Sequence, residues 1–178
     1  VKRVEDNRLL KGEGRYTDDF NMPNQTFAVY VRSPHAHANL VSVDISAAKA
    51  MNGVINVFTG KDIKDAGIVG SICGWQVDFK NGDTMKEPGH PILAVDKVRH
   101  VGDAVALVIA EDIGKAKDAA GAVEVNYDVL DAIVDPKAAV KDGAPQVHDD
   151  VPNNTIFDWE LGNKDETDAA FENAHHIT

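Results

Sequence analysis

The histidines are the first residues in this sequence whose spacing could do chemistry. His35 and His37 stand two positions apart in Ser33-Pro34-His35-Ala36-His37-Ala38, and in an extended chain that spacing puts both imidazoles on one face. Such a pair can begin a metal site, but a third ligand must come from elsewhere, and Asp44, His90 and His100 are the donors on offer. The plainer alternative is a pair of hydrogen-bonding side chains at a strand end. Cys73 is the only cysteine. A thiol becomes a nucleophile beside a base or in a positive field, and Ile72, Gly74 and Trp75 supply neither, so a buried or half-buried spectator is expected. One cysteine also leaves no internal disulfide, four-cysteine zinc site or iron-sulfur cluster to this segment alone, and it fits a reducing, cytoplasmic compartment. Gly12-Glu13-Gly14 has the look of a phosphate loop, yet Arg15-Tyr16-Thr17-Asp18-Asp19 does not open the helix that such a loop requires. Adjacent His175 and His176 point to opposite faces of a strand and make a poor metal pair.

Composition narrows the functions further. The formal net charge is -11 over 178 residues, which argues against a nucleic-acid partner and against an anionic membrane. The longest uninterrupted apolar run, Ala104 to Ala110, falls far short of the roughly 20 residues that cross a bilayer. Lys2, Arg3, Glu5 and Asp6 do not resemble a secretory signal. The length suits one substantial core.

The elements that must position these residues centre on Val98 to Glu111, the longest run of strand formers, with Gly102-Asp103 as a turn or bulge at its head. Its continuous apolar part predicts a central strand covered on both faces. Before it, residues 1 to 26 read as a polar, turn-rich arm, in which Arg8, Arg15, Asp18 and Asp19 are free to pair. Thr26 to Arg32 alternates as a strand. Leu40 to Asp44, Ser46 to Met51 and Val54 to Thr59 give a strand-helix-strand unit, and Gly60 to Ile63 a turn. Residues 64 to 90 are irregular and glycine-rich around Ile68, Val69, Ile72 and Trp75, long enough to be an interface or else an excursion whose Trp75 caps the core edge. Pro91 to Val95 predicts a strand and Asp96-Lys97 a tight turn. Asp112 caps a helix through Ala122 with a small-residue face at Ala116, Ala119 and Ala120. Ala122 to Leu130 alternates as a strand, and Asp135-Pro136 opens a short helix to Val140. Residues 146 to 163 read as an extended tail, followed by a helix capped by Asp165 through Ala174 with Ala169, Ala170 and Phe171 facing inward. Breaking off just after this, the sequence suggests an expression boundary rather than a natural terminus.

Several phrases then line up in order. Val4-Glu5-Asp6, Leu9 to Asp19, Val31 to Ala38, Val54 to Lys61, Val98 to Glu111 and Asn126-Tyr127-Asp128-Val129-Leu130 together resemble the opening of the molybdenum-binding large subunit of the xanthine dehydrogenase and aldehyde oxidase family, most of all its bacterial branch containing aerobic carbon monoxide dehydrogenase. Ala104 and Asp131 stand where that family often has proline. The resemblance implies an α+β fold, the α/β-hammerhead, with a mixed sheet, a bent hairpin and packed helices, followed by the extended tail and short helix. It implies a hammerhead domain with its arm over 1–140, and over 141–178 a linker and the start of the following molybdenum-binding domain. It further implies a full-length oxidoreductase that inserts water-derived oxygen into a small substrate through a molybdopterin cofactor, in bacteria usually the cytosine dinucleotide form. Electrons would pass to partner iron-sulfur and FAD subunits in a dimer of heterotrimers. The family's catalytic glutamate and cofactor loops lie downstream, so no catalytic, cofactor-binding or metal residue is carried over to this segment. Residues 5 to 20 and 64 to 90 are expected to face the catalytic portion or a partner subunit.

Two other readings stand beside this one. A histidine metal enzyme would use His35 and His37 with His90 or His100. A carrier module of the lipoyl type would present a lysine at a hairpin tip, and Lys97 is the candidate.

Overall fold

The computed structural model describes residues 3–178, which run through six strands and six α-helices. Helix α1 (Asp6–Leu10) and a 3-10 turn (Thr17–Asp19) lie in the exposed N-terminal arm. Strands β1 (Phe27–Arg32) and β2 (Ala38–Asp44), helix α2 (Ser46–Lys49), strand β3 (Val54–Thr59) and helix α3 (Gly60–Asp65) follow. After the long loop come β4 (Lys97–Val98), β5 (Ala104–Ala110), α4 (Ile113–Gly121), β6 (Glu124–Val129), α5 (Pro136–Ala139), a 3-10 turn (Pro152–Asn154) and α6 (Lys164–Glu172).

The strands form two three-stranded sheets, β1-β5-β3 and β4-β2-β6, and every pair is antiparallel. The α+β hammerhead expectation therefore holds, while the single mixed sheet is corrected to two antiparallel ones. The division has a local cause. The run from Val98 to Glu111 is not one bent strand, because Gly102 takes φ 90°, a left-handed value that glycine adopts without a Cβ penalty. Residues before it enter one sheet as β4, and residues after it enter the other as β5.

Strand β5 is central in its sheet, as its apolar run demands. Val105 and Ala106 are sequence neighbours and both buried, as a strand covered on both faces allows. The register shifts beside them: Val31 pairs with Ala106 and Arg32 with Ala104, so Val105 is the extra residue of a bulge. Val105 joins Ala38, Ala94 and Val98 in one cluster, while Val108 joins Ala48, Val57 and Ala119 in a second. Val31, beside the bulge, packs against both.

Helix α4 lies across β1 and β5. Asp112 caps it by accepting from the Lys115 amide at 2.8 Å, and buried Ala116 and Ala119 let it approach the sheet closely. Lys115 makes ion pairs with Glu111 and Asp112, and these two carboxylates hold its ammonium above the usual lysine value.

Several expectations need correction. Gly60 to Ile63 is the start of helix α3 rather than a turn, because the Thr59 N–H and hydroxyl both donate to Asp62 Oδ2 at 2.7 Å, a capping arrangement. Pro91 to Val95 does not form a strand. Proline has no amide to donate, and this segment instead buries Leu93 and Ala94, Ala94 beside Ala38, Val98 and Val105, with the Ala94 amide donating to Ala104 O at 2.7 Å. Helix α6 is capped by Asn163, which accepts from the Glu166 amide at 3.2 Å, not by Asp165. Ala169, Ala170 and Phe171 do not face inward, since α6 buries nothing against the described residues.

A Cβ built at Gly60 would sit 2.1 Å from the Ala94 carbonyl oxygen. Gly60→Ala is therefore expected to cost about 1–3 kcal/mol through backbone displacement, read as a lower urea midpoint. Gly121→Ala, where a Cβ meets no atom within 4 Å, should leave the midpoint unchanged or slightly higher.

Candidate functional site

The turn from β1 to β2 carries the two histidines, and the structure engages them separately. His37 is only 7% exposed. Its Nδ1 lies 2.8 Å from the Asp131 carbonyl oxygen, so Nδ1 is the protonated, donating nitrogen in this arrangement. Its Nε2 is buried with no hydrogen-bond partner among the described residues. The Leu130 amide donates to His37 O at 3.0 Å, so this residue fastens the exit of β6 by both its backbone and its ring. His35 instead meets the Tyr127 ring edge-on, with centroids 4.9 Å apart. Ser33 Oγ donates to His35 O and accepts from the His35 amide, each at 3.0 Å. Burial raises the Tyr127 phenol above its usual range, against a lowering hydrogen bond to Ser33, and the Asp103 carboxylate adds to the rise.

The other candidate ligands lie apart from this pair. Asp44 Oδ1 accepts from the Ser46 amide at 2.9 Å and hydroxyl at 2.6 Å. His100 Nδ1 is 3.7 Å from Asp103 Oδ2, and the His90 backbone accepts from the Ser71 amide across the long loop at 2.9 Å while its ring lines a separate groove. Among the described residues no group of three or more His, Cys, Asp or Glu side chains could hold a metal ion. The histidine metal centre is thus not assembled. The carrier reading fails on geometry as well. Lys97 stands in β4 rather than at a hairpin tip, its side chain is 15% exposed, and its Nζ is 3.2 Å from Asp149 Oδ1.

Cys73 is exposed rather than buried. Its Sγ lies 2.9 Å from Trp75 O, and its amide donates to Glu87 Oε1 at 2.9 Å. With His90, His148 and Ile156 it lines a groove of about 310 Å³. In that groove His148 is held below the ordinary histidine value, first by burial, then by the Arg99 guanidinium, with Asp150 and Asp149 opposing and His90 adding slightly.

The long loop and the tail build a surface together, which neither stretch reveals when read alone. Lys80 N donates to Asp158 O and Lys86 N to Ile156 O, each at 2.8 Å. Trp75 and Trp159 meet edge-on at 5.8 Å. Lys80 Nζ pairs with Asp158 at 3.2 Å and Glu160 at 3.5 Å, while Gln76 donates to Glu87 at 2.7 Å. Trp75 does not cap the core edge: it is 70% exposed. No periodicity marks a pairing between residues so far apart. The one signal in the sequence is the apolar, aromatic content shared by two irregular stretches.

Nearer the core, Asn154 anchors the tail, accepting from the Val147 amide at 2.8 Å and donating to Ala139 O and Pro145 O at 2.9 and 3.0 Å. In the N-terminal arm, Arg8 pairs with Glu5 at 2.7 Å and Asp19 accepts from the Tyr16 amide.

Two small antiparallel sheets joined by crossing turns, with one helix laid over the central strand, define the α/β-hammerhead class. Residues 11–131 match the family model described as aldehyde oxidase and xanthine dehydrogenase, a/b hammerhead domain, and the chain belongs to that family. It is 36% identical to the carbon monoxide dehydrogenase large chain of Afipia carboxidovorans, over 99% of this chain and 22% of that one. It is 38% identical to the nicotine 6-hydroxylase large subunit of Paenarthrobacter nicotinovorans, over 99% of this chain and 21% of the relative. Among solved structures, reconstituted CO dehydrogenase from Oligotropha carboxidovorans superposes with a TM-score of 0.74, at 35% identity and over 99% of this chain and 22% of that one. The chain thus spans about a fifth of the length of these relatives. No helix among the described residues is long and apolar enough to cross a membrane.

Two expectations follow. His37→Leu leaves Asp131 O without its donor and should cost about 1–3 kcal/mol in urea unfolding, whereas His37→Asn, with an amide N–H near the Nδ1 position, should lose less. Because the folded state lowers the His148 pKa, its contribution to stability is present above the unfolded histidine value and is lost as pH falls through the folded one. A His148→Asn variant should therefore lose less stability than the parent on acidification from about pH 7 to pH 5, measured as the shift in urea midpoint.

Proposed function

We propose that this chain is the N-terminal structural and docking domain of a molybdenum hydroxylase large subunit, with the hammerhead and its arm in 1–140 and a linker and the start of the following molybdenum-binding domain in 141–178. The observation that carries the reading is the 36% identity to a carbon monoxide dehydrogenase large chain along 99% of this sequence, supported by a second large subunit with the same coverage. The matched names are those of molybdenum-dependent oxidoreductases, including a xanthine dehydrogenase molybdenum-binding subunit from Escherichia coli O157:H7. On this reading the full-length protein oxidises a small substrate.

A molybdopterin cofactor, proposed in its cytosine dinucleotide form, would supply the oxygen-transfer chemistry when bound. On the family resemblance, cofactor and substrate are assigned to downstream domains, and no catalytic, cofactor-binding or metal residue is proposed in this segment. What these residues do is structural: they fasten the two sheets and present the loop-and-tail surface. Iron-sulfur and FAD subunits are the proposed electron partners, in a dimer of heterotrimers, and the proposed location is cytoplasmic.

The test is elemental analysis of the product of the natural reading frame that contains this sequence, expressed in a host that makes the cofactor. Molybdenum near one atom per large subunit is expected, with none retained by residues 1–178 expressed alone. Stoichiometric molybdenum in the short product, or none in the long one, would overturn the proposal.

A further inference from the structure

The sequence holds two Asn-Gly dipeptides, Asn52-Gly53 and Asn81-Gly82, and the structure treats them oppositely. In such a pair the glycine, having no Cβ, lets its own amide nitrogen approach the carbonyl carbon of the preceding side chain. Both glycines take left-handed angles, φ 81° at Gly53 and 87° at Gly82, and both asparagines are exposed. Hydrogen bonding is what separates them. Around Asn81 the nucleophile and the electrophile are both held. The Gly82 amide donates to Phe79 O at 2.8 Å, Asn81 Oδ1 accepts from the Asp83 amide at 3.1 Å, and Asn81 Nδ2 donates to Asp83 Oδ2 at 2.8 Å. Asn52 lies in the turn between α2 and β3, which the Val54 amide closes on Met51 O at 3.2 Å. There neither the Asn52 carboxamide nor the Gly53 amide has a hydrogen-bond partner among the described residues.

We propose that Asn52 is a site of spontaneous deamidation in the folded protein and that Asn81 is protected from the same reaction. The Gly53 nitrogen bonds to Asn52 Cγ, the Cγ–Nδ2 bond breaks, and ammonia leaves with the proton that the Gly53 amide gives up, closing a succinimide ring. Water then opens the ring. Breaking the bond from Gly53 N to Cγ gives aspartate in an ordinary chain, while breaking the bond from Gly53 N to the main-chain carbonyl carbon of residue 52 gives isoaspartate, whose main chain is longer by the Cβ atom. No oxidant or reductant takes part. The added length meets a tight fit. Gly53 O accepts from the Glu111 amide at 2.9 Å, Val54 pairs with Ala110 at the start of β3, and a Cβ built on Gly53 would sit 2.3 Å from Lys115 Cδ. Isoaspartate at position 52 therefore loosens the start of β3 from β5, whereas aspartate, with the ordinary chain length, leaves that junction in place.

Timed incubation in heavy-oxygen water near neutral pH tests this on the full product of the natural reading frame that contains this sequence. Tryptic peptides 50–61 and 81–86 report the two sites by fragment-ion mass spectrometry. Asn52 should convert faster than Asn81 in the native protein, on the order of tenfold, because Asn81 reacts only through openings that break its hydrogen bonds. The products at position 52 should carry heavy oxygen and include both aspartate and isoaspartate. In the urea-unfolded chain the two rates should come together. Equal native rates, a faster Asn81, or an Asn52 that reacts only after unfolding overturns the proposal. The Glu111 amide should exchange its hydrogen faster in the isoaspartyl fraction than in an Asn52→Asp variant, and equal exchange in the two would overturn the loosening of β3.

Discussion

The fold depends on how two chain crossings between the sheets are tied to one another. The chain leaves β1 for β2 through Ser33 to His37 and returns from β4 to β5 through Arg99 to Asp103. At that crossing the Ser33 amide donates to Asp103 O and the Gly102 amide donates to Ser33 O, both at 2.8 Å. Arg32 Nη1 donates to Gly102 O at 2.8 Å, and Asp103 Oδ2 accepts from the Arg99 amide at 3.0 Å. Ser33 is buried, so its backbone groups have no water to fall back on and must be paired inside. Small sheets of three strands have little stability apart. The paired crossings make them one unit, and the Val105 bulge lets a single strand feed both cores.

That arrangement explains why the chemically suggestive residues are structural. The Ser-Pro-His-Ala-His phrase falls at a crossing, where backbone direction changes and polar groups are buried. Ser33 and His37 meet the resulting demand for partners, through His35 and through Asp131. His37 at this place donates from Nδ1 to the Asp131 carbonyl oxygen. The small side chains Ala48 and Ala119 serve the other cluster by letting α2 and α4 pack close to Val57 and Val108.

Much of this is legible in the sequence because it is local. The alternation of Phe27 to Arg32, the apolar run of β5, the Asp112 cap and the Asp135-Pro136 opening of α5 each depend on near neighbours, and each is found. The misses share a different character. Pro91 to Val95 has the composition of a strand, but Ala94 is buried among Ala38, Val98 and Val105 without a ladder. Helix α3 reads as a turn because its cap joins Thr59 to Asp62, a pair whose threonine looks like the last residue of a strand. The inward face expected of α6 presumes a core beside it, whereas the described residues offer none. The join of loop to tail has no sequence signature at all, since hydrogen bonds between residues 80 and 158 leave no periodic trace. Family resemblance identifies the class where local pattern does not.

If the paired crossings bind the two sheets into one unit, crossings and central strand must open together. Native-state hydrogen exchange of the backbone amides is the measurement. Ser33 and Gly102 should exchange through the same opening, with the same free energy and denaturant dependence, as Val108 in the middle of β5. Exchange at Ser33 and Gly102 through a low-energy local opening, while Val108 stays protected, would contradict that unity.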